Sequence, residues 1–118
     1  MAKDYPHLAK ASIIGETYEG RDIVGITISS GGNNTRPVIY IEGGIHGREW
    51  LAPCSILYIV YQLVEKYESN KALLDMVDWQ LVPVSNPDGY EFAHTGVRNK
   101  DHFLFPRLLN FFCNVLIF

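Results

Sequence analysis

The sequence predicts an α/β fold centred on a parallel pair of strands, and three observations carry that reading. Val38 to Ile41 is an apolar run of strand length, and Trp79 to Val84 is a second. Between them Ile56, Ile59, Val60, Leu63, Val64 and Tyr67 recur at the i, i+3, i+4 spacing of an amphipathic helix. Strand, helix, strand in that order requires a crossover, which is right-handed in nearly all parallel pairs. Runs this uniformly apolar suit strands that are covered on both faces. With 118 residues, 47% hydrophobic and 19% charged, the chain is suited to one packed domain or a piece of one.

The remaining elements follow in order. Lys10 to Tyr18 and Asp22 to Ser29 read as two short strands joined by a turn at Glu19-Gly20-Arg21. Ile26 and Ile28 share one face of the second, with Thr27 on the other. Gly31-Gly32-Asn33-Asn34 is a loop, because glycine and asparagine tolerate positive φ. The helix is expected from roughly Leu51 to Tyr67, with Pro53 in its first turn, where a missing N–H costs nothing. Cys54 falls within that pattern and reads as a small core residue. Lys71 to Val77 reads as a short second helical piece. Pro83 removes a ladder donor near the end of the following strand. Ser85-Asn86-Pro87-Asp88-Gly89 has turn chemistry, with proline presetting φ and glycine free to take the awkward conformation.

Several function classes are disfavoured. A net charge of −3 gives no electrostatic reason to expect a nucleic-acid or anionic-membrane partner. The uninterrupted apolar stretches fall well short of the roughly 18 residues that suggest a membrane span. Cys54 and Cys113 are too few for a disulfide framework and too far apart for a zinc knuckle. The first residues contain no apolar core of a secretory signal, so none is expected in the chain as it stands. Asn33-Asn34-Thr35 matches the N-glycosylation pattern, which is compatible with a secreted protein.

His46-Gly47-Arg48-Glu49 is the segment that carries chemistry. It sets an imidazole and a carboxylate three residues apart between the first apolar run and the helix, where both can converge on one metal ion such as zinc. The other reading is a solvated loop in which Glu49 stabilises the helix N-terminus through the dipole. Arg48 between them could hold a substrate carboxylate or carbonyl by paired hydrogen bonds, or point to water. This loop and Asn86-Pro87-Asp88-Gly89 both follow the carboxyl ends of expected strands, the edge where open α/β sheets place ligands. His94 and His102 are the only histidines after the helix and so the only local candidates for a further nitrogen ligand; His94 reads more simply as a hydrogen-bonded core or loop residue and His102 falls in the tail, so neither is assigned as a ligand. A catalytic zinc usually takes three protein ligands, of which two are visible here.

Taken together, Thr17-Tyr18-Glu19-Gly20-Arg21, Gly43-Gly44-Ile45-His46-Gly47-Arg48-Glu49-Trp50 and Val84-Ser85-Asn86-Pro87-Asp88-Gly89-Tyr90-Glu91-Phe92 resemble the zinc carboxypeptidases of the carboxypeptidase A/B type. The resemblance runs from near the N-terminus to Arg98. It implies an α/β fold with a mixed, mostly parallel sheet and flanking helices. It also implies one zinc ion with His46 and Glu49 as two of its ligands, and Arg48 lining the substrate cleft. The implied reaction is hydrolysis of the C-terminal peptide bond of a peptide or protein. Zinc would polarise the carbonyl and activate a water, a glutamate would act as base and an arginine would stabilise the oxyanion. An extracellular monomer is the expectation that goes with this family.

The pattern also departs from the family. Past the Asn-Pro-Asp-Gly turn the family continues into Arg-x-Trp-Arg-Lys, whose second arginine stabilises the oxyanion. Arg98 fits the first arginine, but Lys100 stands where tryptophan is expected and Asp101 where the second arginine is expected. The third zinc ligand, the general base, and the asparagine-arginine pair and tyrosine that hold the substrate carboxylate would all lie further on than the matching residues. No catalytic residue is therefore assigned. Residues 1–98 read as the N-terminal portion of a zinc carboxypeptidase catalytic domain, and residues 99–118 as an apolar tail that does not match it. The expectation is a truncated version of the fold. Its alternative function is that of an inactive fragment: a binding or decoy module, or the product of a mis-joined gene. In such a fragment a parallel strand left at a sheet edge would expose unpaired backbone.

Overall fold

The computed structural model describes residues 3–32, 36–95 and the backbone of 114–117. Within them the elements run β1 (Ala9–Glu16), β2 (Asp22–Ile28), β3 (Val38–Glu42), α1 (Leu51–Val64), α2 (Tyr67–Met76), β4 (Asp78–Val82), α3 (Pro87–Thr95) and β5 (Asn114–Ile117). The strands form one mixed sheet in the order β1-β2-β4-β3-β5. Strands β1 and β2 make the expected hairpin, with Gly20 at φ 77° in its turn. The α1–α2 crossover returns the chain so that β4 pairs parallel to β3, Ile39 opposite Trp79 and Ile41 opposite Leu81.

One face of the sheet carries the core. Ile28, Ile41 and Leu81 point to the same side as the buried Ile56, Val60, Leu63 and Val64 of α1 and Leu74 of α2, and all of these form one cluster. The helical repeat read from the sequence therefore marks the face of α1 that meets the sheet. Burying each such aliphatic side chain contributes about 1.5–3 kcal/mol.

The structure corrects several expectations. Of the four described strand pairings only β3–β4 is parallel, because it alone is made by a helical crossover; the other three are antiparallel. The expected parallel core is present, but it is a single pair. Strand β3 is not covered on both faces either. Only Ile41 is buried in it, because on the side away from the helices the Tyr40 hydroxyl donates to Glu42 at 2.8 Å and Tyr40 lies opposite the exposed Gln80. A tyrosine counts as apolar in a hydropathy pattern yet needs a partner for its hydroxyl. The outer edge of β3 is not left bare, since β5 pairs with it from Ile39–Ile117 to Glu42–Asn114.

Helix boundaries differ as well. The expected single helix to Tyr67 ends at Val64, and α2 begins at Tyr67, before the expected Lys71. The break is held by Asn70, whose amide donates to the Gln62 carbonyl at 3.0 Å, which the ending helix leaves open, and to the carbonyl of Lys66, the N-cap of α2, at 3.1 Å. Cys54 is exposed rather than buried, because it lies off the Ile56–Val60 stripe. Strand β4 stops at Val82, directly before Pro83, as a missing donor requires. The segment read as a turn at Asn86-Pro87-Asp88-Gly89 is instead the start of α3.

Candidate metal centre

The loop between β3 and α1 is built on glycines that allow close approach. The Gly43 N–H donates to Val82 O at 2.9 Å and its carbonyl accepts from the Ser85 N–H at 2.9 Å, so the β3–β4 pairing continues past the strand ends. Gly44 takes φ 68°, a conformation side chains resist, and a Cβ there would lie 3.1 Å from Val84 Cα. The chain then turns through His46, whose carbonyl accepts from the Glu49 N–H at 3.0 Å.

That turn brings the two nominated donors together. His46 Nδ1 lies 3.1 Å from Glu49 Oε1. Two donors at ordinary zinc distances and a tetrahedral angle would be about 3.4 Å apart, so the spacing is close to that of two ligands on one ion. The other carboxylate oxygen, Glu49 Oε2, is buried without a hydrogen-bond partner. Such an orphan costs about 1–3 kcal/mol and calls for an explanation such as an ion. Glu49 directly precedes the N-cap Trp50 but makes no side-chain capping hydrogen bond to α1. Among the described residues no group of three or more histidine, cysteine, aspartate or glutamate side chains gathers as a full ligand set. The donor chemistry thus fits one side of a zinc site.

Arg48 is exposed between the pair, free of the core and open to a molecule on that edge. His94 is held elsewhere. Its Nδ1 lies 2.8 Å from the Tyr90 carbonyl, and its ring stacks on Trp50 at 4.5 Å between centroids. Trp50 in turn donates its indole N–H to Gly47 O at 3.0 Å. His94 is thus a hydrogen-bonded residue whose ring stacks on Trp50 beside the loop. Arg98, Lys100, Asp101, His102, Cys113 and the Asn33 glycosylation pattern lie outside the described residues.

The two loops expected on one edge do meet. Asn86 caps α3 by accepting from the Gly89 N–H at 2.9 Å, with Pro87 at the first helical position. Its amide also donates to Ile45 O at 2.9 Å, one residue before His46. Gly47 packs directly on the Gly89 carbonyl, leaving no room for a Cβ. Turn chemistry is what the sequence offers at Asp88, yet its carboxylate binds the β1–β2 turn. It accepts from the Thr17 hydroxyl at 2.7 Å, from Arg21 Nη1 at 2.7 Å and from the Glu19 N–H at 3.2 Å. Burial alone would raise this carboxyl, but the bonds from Thr17, Arg21 and the Glu19 N–H outweigh it and hold it below the usual carboxylate value. The signal in the sequence was the polar motif Thr17-Tyr18-Glu19-Gly20-Arg21, which periodicity does not interpret.

A mixed α/β sheet that presents a histidine-glutamate pair beyond the carboxyl ends of its parallel strands belongs with the α/β proteins whose sites sit on that edge. More specifically, the chain belongs to the zinc carboxypeptidase family, Peptidase_M14, which it matches over residues 1–103. It is 40% identical over 98 residues to carboxypeptidase B of Astacus astacus, covering 83% of this chain and 32% of that protein. It is 36% identical over 99 residues to the inactive metallocarboxypeptidase ECM14 of Saccharomyces cerevisiae, covering 79% of this chain and 23% of that protein. Carboxypeptidase A from Helicoverpa armigera superposes with a TM-score of 0.72 at 33% identity, over 80% of this chain and 23% of that one. The chain therefore spans about a third or less of the length of these relatives.

Proposed function

We propose that this chain is the N-terminal portion of a zinc carboxypeptidase catalytic domain, with residues 1–98 supplying one wall of the metal centre. His46 and Glu49 are the two zinc donors it contributes, and Arg48 binds substrate. The observation that carries this reading is the His46 Nδ1–Glu49 Oε1 separation of 3.1 Å together with the orphaned Oε2 of Glu49. When bound, zinc polarises a carbonyl and lowers the pKa of a water. The chain's own residues do the positioning. The turn closed by the Glu49 N–H holds the imidazole and carboxylate on one side of the loop, and exposed Arg48 offers a guanidinium to a carboxylate or carbonyl beside them. The substrates proposed for the whole domain are peptide or protein C-termini, and an extracellular monomer is the setting that fits.

A titration of the purified chain with zinc tests the assignment. Two donors leave the ion mostly hydrated, so weak one-to-one binding is expected, abolished in both His46→Ala and Glu49→Ala. Binding unchanged in either variant would overturn it.

A second reading is a non-catalytic binding module, favoured by the similarity to the inactive yeast relative. An assay for release of C-terminal residues tests the second reading. Turnover abolished by chelation and by Glu49→Ala would exclude the module; none is expected from this chain alone.

A further inference from the structure

Asp88 is a heavily engaged carboxylate, and it lies on neither the core nor the metal loop. It accepts from Thr17 Oγ1, Arg21 Nη1 and the Glu19 N–H, so one side chain gathers three groups of the β1–β2 turn. Arg21 is also paired with Glu19, and the Thr17 hydroxyl accepts from the Arg21 N–H at 3.0 Å. The Asp88 side chain is only 21% exposed. A bare surface turn has no use for a clamp of this kind.

What the clamp holds is the head of α3. Asp88 stands between Asn86 and Gly89, and both neighbours touch the metal loop. Asn86 donates to Ile45 O at 2.9 Å, and the Gly89 carbonyl packs on Gly47. His46 lies between Ile45 and Gly47. The backbone on both sides of His46 is therefore held by the α3 head, which is itself fixed to the β1–β2 hairpin through Asp88. Without that anchor, α3 would rest on Ala93, the one residue it buries among the described residues, and on its contacts with the loop it supports, Asn86 to Ile45 O and His94 stacked on Trp50.

We propose that Asp88 is a positioning residue for the metal pair, locking the β1–β2 turn to the α3 head so that His46 Nδ1 and Glu49 Oε1 stay at ligand spacing. It touches neither donor. Its effect passes through Asn86 and Gly89, which contact the residues on either side of His46. The proposal rests on the reading of His46 and Glu49 as zinc donors.

The test follows the His46 ring nitrogens by NMR as zinc is added to the full chain. In the unaltered chain the Nδ1 signal shifts saturably. In Asp88→Asn, which keeps the shape but weakens the acceptor for Arg21, about tenfold more zinc is expected for the same shift, the range typical when a ligand's support is removed. Asn70→Ala loosens the α1–α2 junction far from the loop and serves as the control for general destabilisation. Should Asp88→Asn not fold, Thr17→Val, which removes one of the three bonds to Asp88 together with the acceptor for the Arg21 N–H, is expected to move the titration the same way by less. An unaltered response in the folded Asp88 variant, or in Thr17→Val if that is the one that folds, overturns the positioning role while leaving the zinc assignment standing. An equal loss in Asn70→Ala does the same. If His46 fails to respond in the unaltered chain, the zinc assignment falls and takes the positioning role with it.

Discussion

The Thr17 hydroxyl and the Asp88 carboxylate meet at 2.7 Å across 71 residues of sequence, joining the first strand's turn to the last described helix. This bond makes the molecule acid-sensitive in a definite direction. Asp88 is held below its ordinary pKa when folded, so its contribution is complete above an unfolded value near 3.9 and disappears as pH falls through the folded one. Asp88→Asn is expected to lower the unfolding midpoint at about pH 7, and the gap between variant and parent should close on the acid side. Urea midpoints measured across that range decide it; a gap independent of pH would mean the carboxylate charge is not involved.

Gly47→Ala should damage the loop through sterics alone. A methyl group there collides with the backbone of Gly89 and Tyr90, neither of which is the far end of a flexible side chain. Overpacking of this kind costs about 1–3 kcal/mol, and relief requires separating the loop from α3. A denaturation curve should show that loss, and the same variant should bind zinc more weakly.

Glu49→Ala separates function from stability. Oε2 is buried without a partner in the metal-free chain, so deleting it removes a cost of about 1–3 kcal/mol along with the Oε1 contact to His46. The variant's metal-free thermal midpoint is expected to equal or exceed the parent's while zinc binding is lost. A clearly lower midpoint would show that the carboxylate stabilises the fold by itself.

Alkaline pH should act through Tyr40. Burial first, then its hydrogen bond to Glu42, pushes its phenol up to about 12. The unfolded chain ionises near 10, so it binds fewer protons than the folded one in between, and stability falls as pH rises through that window. Tyr40→Phe should flatten the fall. Melting temperatures of the two chains between those values provide the comparison.

Much of this was legible in the residues. The i, i+3, i+4 stripe of α1 identified its buried face, and the order of apolar runs identified the β3–β4 parallel pair, because periodicity reports directly on which side a residue faces. The His46–Glu49 pair was legible for a similar local reason, since three residues in a turn cannot separate far. The helical start at Pro87 was not. Asparagine, proline, aspartate and glycine serve a turn and a helix N-terminus equally well, and the choice depends on what packs against them. The break near Lys66 was hidden too, because it depends on one asparagine amide reaching two carbonyls.

The sequence by itself determined the family, the crossover, the core stripe and the proximity of His46 to Glu49, all properties set by residue type and short spacing. Only the tertiary structure decided that the three motifs form one assembly, with Asp88 binding the Thr17–Arg21 turn and Asn86 and Gly89 pressing on the residues around His46. It also decided that the remaining strand pairings are antiparallel. The reason is physical: hydrogen bonds between residues some 70 positions apart follow from the paths of whole strands and helices, and no local pattern encodes them.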